Sequence, residues 1–563
     1  MHIKPLFHLA LAASLLISPA SGFTQGLAGA YLAANQANAT NDYAAAAEFY
    51  TKALKQDPND AYILQNALLS LVALGETNNA IDMAKQLTTL KFGSQLSDLV
   101  LLVSDVKNQK YDAALNILAE SNDRLSPLLR GLLKGWVLVA SGDMSAAVKH
   151  FDSLKKPDAL RLFAQYHKAL AVAMAGDFEL ANKIIEGDGE NILHVNRGSI
   201  IAHAEILSQL GKFDQAAKII INYAAGTSDR QLLDLLDKME ARQAVPFNYI
   251  TSAQDGVSET FLTLASVLSG EKDARFSLVY ARLAEYMRPN NIQALLLLSD
   301  MLKSQRQYDL ATQVLAKVPV AHPMYLNAEL SRADILIEAE KPQAAIAILQ
   351  RVAASHPDVA RVHMVLGDTY SGVKQYRDAN KEYTAAINLF EKKNTAQWAL
   401  YYARGVSYER LGEWDNAEAD LRKALKLSPE QPSTLNYLGY SLVEKGIKLK
   451  EAQGMIERAV RARPNDAYIT DSLGWVLYRV GKFKEAVAPM ERAAELMPAD
   501  PVINDHLGDV YWKVNRHLEA RFQWSRAMSF GPEEKDATRI RRKLDIGLDA
   551  VLTSEKASTA NAN

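Results

Sequence analysis

The stretch PVINDHLGDVYWKVNRHLEARFQWSRAMSFGPEE, residues 501–534, decides the reading of this chain. It places Leu507-Gly508, Tyr511, Ala520, Trp524, Ala527 and Pro532 at spacings that recur upstream. Pro289, Pro323 and Pro357 are spaced by 34 residues, Pro429 to Pro464 by 35, and Pro498 and Pro532 follow at 34 each. A fixed period of that length marks stacked supersecondary units, each too small to bury its apolar face alone.

Counting outward from this stretch, units begin at Leu27, Ala61, Gln95, Leu128, Leu162, Arg197 and Ser258. They continue at Ile292, Leu326, Ala360, Trp398, Pro432, Ala467 and Pro501. Position 20 is Ala in thirteen units and Ser277 in the other, with one inserted residue before Ala452. Position 8 is small in all units except those with Leu68 and Leu102. Small residues at both positions let two helices approach closely. Gly near position 15 (Gly75, Gly142, Gly176, Gly211, Gly412, Gly481) marks the turn between them. Pro at position 32 ends the second helix.

This pattern resembles the tetratricopeptide repeat, a helix–turn–helix of 34 residues, and unit 360–393 with Leu366-Gly367, Tyr370, Ala379 and Tyr383 fits nearly as well. The resemblance implies an all-α, right-handed superhelical α-solenoid of about 14 units with a C-terminal capping helix. The stretch from Trp398 to Pro532 also resembles exported proteobacterial proteins of this repeat type. Units two to six lack the Pro at position 32, and residues 231–257 fit no unit. The expected organisation is a signal peptide at 1–22, about six repeats in 23–230, and a degenerate repeat or hinge at 231–257. Eight repeats then occupy 258–534, Ile540, Leu544, Leu548 and Val551 mark a capping helix at 535–552, and 553–563 form a disordered tail.

Composition narrows the function classes. The chain has 563 residues, 48% hydrophobic and 23% charged, which excludes a mostly disordered polymer. A formal charge of -2 gives no global field to recruit nucleic acid or anionic membrane. Zero Cys removes disulfides, thiolate metal sites and thiol nucleophiles. Lys4, the short apolar run Leu6 to Ile17 and the small residues Ala20, Ser21 and Gly22 predict an export signal cut after Ala20 or Gly22. No Cys follows to carry a lipid anchor, so a soluble periplasmic protein is expected.

No phosphate loop, HExxH, nucleophile elbow or EF-hand loop is present, and no cofactor or metal is implied. The scattered His read as structural; His322 and His356 are expected to cap the last carbonyls of their helices. The cluster Arg539, Arg541, Arg542 and Lys543 reads as the solvated face of the cap. Function then falls to the stripe at positions 2, 5, 9 and 12 of the first helices, which the family resemblance places inside a groove. In the last four units it reads Tyr402, Glu409, Asn436, Tyr440, Val443, Tyr468, Asp471, Trp475, Tyr478, Asp505, Asp509 and Trp512, with Tyr437 beside it. Rings with Asp and Asn suit partner binding, and an acidic, aromatic groove favours neutral or cationic ligands.

The first-half stripe, including Leu99, Val103, Leu132, Trp136, Tyr166 and Leu170, is more apolar; it either contacts another protein or packs against the facing wall of a tight coil. Asp471 with Trp475 and Asp505 with Asp509 stand where chaperone-tail repeats carry a Lys/Asn/Arg clamp, so no carboxylate clamp is expected. The leading expectation is a non-enzymatic, extracytoplasmic scaffold for a protein or peptide. The rivals are a cell-wall glycan-binding protein and an enzyme using Asp471, Asp505 and Asp509.

Overall fold

The computed structural model describes residues 27–154, 158–187, 193, 196–224, 229–269 and 275–560; the expected signal segment at 1–22 lies outside them. Within those residues there are 31 helices and no strand. Ten of the fourteen expected units open on a helix at the counted residue, from Leu27 and Ala61 through Ala467 and Pro501. The other four begin slightly earlier, at Pro127, Asp158, Ala253 and Tyr325. Local chemistry sets these starts. The Asp500 side chain accepts from the N–H of Val502 and Ile503 at 2.9 Å each, and Pro501 occupies the first helical position.

The two small positions are contact points between paired helices. Ala46, Ala147, Ala311, Ala417 and Ala520 are all fully buried. Four residues beyond the position-20 Ala comes a large side chain that fills the space left by the Gly of the partner helix. A Cβ on Gly508 would lie 2.4 Å from Trp524, on Gly474 2.5 Å from Met490, and on Gly135 2.3 Å from Phe151. These glycines are therefore required by close approach.

The turn slot obeys one backbone rule. Every described residue at position 15 has a positive φ, whether Gly (Gly75 86°, Gly412 80°) or not (Asn41 58°, Arg306 59°, Lys374 62°, Asn515 63°). An antiparallel hairpin of helices ends its first helix through a left-handed residue, so packing imposes the conformation even without Gly.

The chain divides into two compact units, residues 1–345 and 346–563. In the first, segment 231–257 contains helix Arg230–Glu240, an irregular stretch and the start of helix Ala253–Leu268. That second helix packs on the apolar stripe of the upstream repeats. A Cβ on its Gly256 would sit 2.1 Å from Trp136, and its Glu259 accepts from the Tyr166 hydroxyl at 2.9 Å. Helix Arg275–Met287 continues the cover: Arg282 Nε donates to the Ala73 carbonyl at 2.8 Å, and Gln95 Nε2 donates to the Tyr280 hydroxyl at 2.7 Å. Of the two readings of the first-half stripe, the structure selects internal packing.

In the second unit, hairpins stack on their neighbours up to a terminal pair, Glu534–Ile546 and Leu548–Ala560, broken at Gly547. Two expectations change here. The cap is two helices, because Gly547 turns at φ 79° with the Trp512 ring 2.6 Å from where its Cβ would stand. The tail, expected to be disordered from 553, is helical through Ala560, since Arg539 Nε donates to Glu555 at 3.0 Å and Arg542 to Ser554.

Candidate functional site

The stripe of the last four units separates into an internal part and an open part. Trp475 is buried: its ring stacks on His506 at 3.9 Å and on Tyr478 at 4.8 Å, and its Nε1 donates to Glu444 at 2.6 Å. Asp471 is buried against His506, whose Nδ1 lies 3.1 Å from both carboxylate oxygens. Burial alone would lower the His506 pKa; the carboxylates of Asp471, Asp505 and Asp509 outweigh it and raise the value above 6.5.

Asp505 and Asp509 receive the ammonium of Lys543, which lies 2.8 Å from both oxygens of Asp505 and 2.7 Å from one of Asp509. Lys543 and Asp509 are completely buried, and Trp524 Nε1 adds a bond to Asp509 at 3.0 Å. Burial, then the neighbouring Asp509 charge, raises the Asp505 pKa against the pull of Lys543. Trp512 donates to Asp549 at 2.9 Å and packs beside Trp524 at 5.3 Å. Asp471, Asp505 and Asp509 are thus not a solvated acidic wall but the inner halves of buried pairs. The reading of the basic cluster changes with them: Lys543 points inward because two buried carboxylates need a counter-charge.

The open part lies one unit earlier. Tyr437 and Tyr440 line a cavity of about 310 Å³ with Glu409, Arg410, Glu444 and Lys445. Tyr402 meets the Tyr437 ring edge-on at 5.8 Å, and the Tyr437 hydroxyl donates to Glu409 at 3.1 Å. Glu444 also faces Arg479 at 3.4 Å, so the rim carries both signs of charge. Asn436 is half-buried with its Oδ1 unpaired, while Tyr468 is exposed and donates to Asp500 at 3.3 Å. Of the expected residues, the structure therefore gathers Tyr437 and Tyr440 at the opening, with Tyr402 against the Tyr437 ring. It places Asp471, Trp475, Tyr478, Asp505, Asp509 and Trp512 inside the stack or against the terminal pair.

Arg410, Ser441, Glu444 and Lys445 fall outside the stripe that the sequence pattern singles out. Arg410 and Glu444 both stand at position 13, next to that stripe, and widening it by one residue finds them. His322 does not cap a carbonyl as expected; its Nδ1 accepts from the Met324 N–H at 3.1 Å. His167 is fully buried, accepts from Trp136 Nε1 at 2.9 Å, and is held by burial at a pKa of about 3. Among the described residues, no helix is long and apolar enough to cross a membrane.

Comparison with known proteins agrees with the register. Family models described as tetratricopeptide repeat match residues 31–60, 330–371, 398–431 and 438–501. A TPR repeat-containing protein of Pseudomonas aeruginosa is 29% identical over 159 residues, 28% of this chain and 26% of the relative. A lipoprotein NlpI homolog of Haemophilus influenzae is 45% identical over 89 residues, 16% of this chain and 28% of the relative. The chain thus spans about a quarter of the length of these curated relatives. The crystal structure of the APC/C hetero-tetramer Cut9–Hcn1 is 17% identical, covers 82% of this chain and 98% of its own, and superposes with a TM-score of 0.38. A tetratricopeptide repeat protein from Parabacteroides merdae is 16% identical, covers 45% of this chain and 97% of its own, and has a TM-score of 0.37. Tetratricopeptide repeats serve protein–protein interaction in general, in proteins that are generally non-enzymatic scaffolds. With helical hairpins in the counted register and four segments matched by the family models, this chain carries tetratricopeptide repeats.

Proposed function

We propose that the chain is a non-enzymatic, extracytoplasmic scaffold that binds a protein or peptide partner at the first-helix wall of residues 346–563. The observation that carries this reading is the cavity at Tyr437 and Tyr440, the part of the stripe that no internal pair closes. Its rings offer area at low entropy cost, and its mixed-charge rim offers orientation. Export rests on the leader at 1–22, and the Haemophilus influenzae relative, by name a lipoprotein homolog, supports an envelope setting.

Capture from periplasmic extract by wild type and by Tyr440→Ala tests the reading, with circular dichroism confirming that the variant is folded. Loss of a specific partner is expected. Identical partner sets would remove the cavity from the argument. Trp475→Ala and Trp512→Ala serve this purpose poorly, because both rings hold the stack together.

A further inference from the structure

We infer that residues 1–345 contain a second binding site, a pocket for a neutral saccharide, independent of the partner-binding wall in the other unit. The cavity measures about 390 Å³, within the range of small-ligand sites. Apolar Ile201, Ile292 and Pro319 line it together with a set of planar polar side chains: Gln231, Arg288, Asn290, Gln293 and His322.

The pocket is pre-formed, because the irregular stretch beside it is pinned from several sides. Glu205 accepts from the N–H of Asn248 at 2.8 Å and of Tyr249 at 2.9 Å. Arg288 Nη1 donates to the Tyr249 carbonyl at 2.6 Å, and the Tyr249 hydroxyl donates to Glu259 at 2.8 Å. Gln209 Nε2 donates to the Val245 carbonyl at 2.6 Å, and Ser208 Oγ accepts from the Val245 N–H at 2.8 Å. A site held this way has little ordering cost left when a ligand arrives.

Charge does not select an ion here. Arg288 has Asp255 at 3.6 Å, and Arg197, behind Gln231, is bound by Asp229 at 2.7 Å. Burial pushes the Glu205 carboxyl up to about 7, against the pull of its two backbone N–H partners. Burial, helped by the Arg197 charge, holds the His322 pKa below its usual value and keeps the ring neutral. Because its Nδ1 accepts from Met324, the neutral ring presents Nε2–H as a donor. Gln231 gives its oxygen to Arg197 at 3.1 Å, which leaves its amide protons to the cavity. Asn290 and Gln293 add amides with a donor and an acceptor side by side.

Paired donors and acceptors on planar groups match neighbouring hydroxyls on a sugar ring, each of which both gives and takes a hydrogen bond. The shared chemistry could come from a free sugar or from the end of a glycan strand.

Saturation-transfer NMR on the full chain, with glucose, N-acetylglucosamine and chitobiose as probes, tests the site. Transfer to at least one probe is expected, with affinity falling roughly tenfold in Asn290→Ala/Gln293→Ala as two hydrogen-bonding side chains are removed. Both residues are clear of the bonds that pin the pocket, so circular dichroism should be unchanged. Purified glycan fragments form the second arm: competition by them assigns the strand end, and competition by free sugar alone assigns the small molecule. No transfer from any probe, or equal affinity in the double variant, overturns the proposal. Partner capture through Tyr440 reads the other unit, so the two proposals fail separately.

Discussion

At Glu205 burial and hydrogen bonding pull against each other, and burial wins, moving the carboxyl from 4.5 to about 7. The folded state therefore holds its proton more tightly than the unfolded chain does. Stability from this group is greatest below pH 4.5 and is lost as pH rises to about 7. The loss is about 3 kcal/mol, since each tenfold difference in proton affinity is worth about 1.4 kcal/mol. Glu205→Gln should abolish that slope in urea unfolding between those pH values; an unchanged slope would mean the carboxyl is ionised throughout. Lys543 makes a second residue-scale case. Replacing it by Ala leaves two carboxylates buried beside one another, at a cost of about 3–5 kcal/mol, while Asp505→Asn/Asp509→Asn in the same background should recover part of it. Urea midpoints for the three proteins decide the matter, and a Lys543→Ala protein as stable as wild type would show that the pair does not hold the terminal helices.

At the scale of the helical hairpin, the turn slot predicts a stabilising change. Arg306 sits at φ 59°, where a Cβ is strained, and Arg306→Gly should be neutral to stabilising by up to about 1 kcal/mol. Gly412→Ala, at φ 80°, should cost about 1 kcal/mol. Thermal midpoints check both, and destabilisation by Arg306→Gly would show that the side chain contributes more than the strain it carries. Hairpins are also where the sequence was most legible. Ala147 with Phe151, and Ala520 with Trp524, are separated by four residues, so their packing against Gly135 and Gly508 is written into one local spacing. The site was less legible for a physical reason. Asp471, Asp505 and Asp509 look solvated in a linear reading, because their partners His506 and Lys543 lie more than thirty residues away. Only the stacking of one hairpin on the next brings each acid to its base. Likewise the stripe through Trp136 and Tyr166 announced burial without naming what covers it.

At the scale of the whole molecule, each unit has its own pattern of cohesion. Residues 1–345 hold contacts between distant hairpins, such as Gly256 on Trp136 and Arg282 on Ala73, whereas residues 346–563 join mainly neighbour to neighbour. Cooperative opening is expected where distant parts clasp each other, and graded opening where only neighbours do. Native-state hydrogen exchange should show near-uniform protection across the buried first helices of the first unit and a gradient along the second. Gly256→Leu should abolish the uniformity by forcing helix Ala253–Leu268 off Trp136; uniform protection surviving in that variant would refute the clasp. A last consequence concerns copy number. His506 serves Asp471 as Lys543 serves Asp505, so the end of the stack repeats the counter-charge rule of its interior. A duplicated 501–534 would carry its own histidine toward the preceding aspartate and its own aspartates toward Lys543. The array can thus lengthen by one hairpin at this end only if the first copy's Asp509, cut off from Lys543, gives way to a neutral residue, as Trp475 stands at that position one unit earlier.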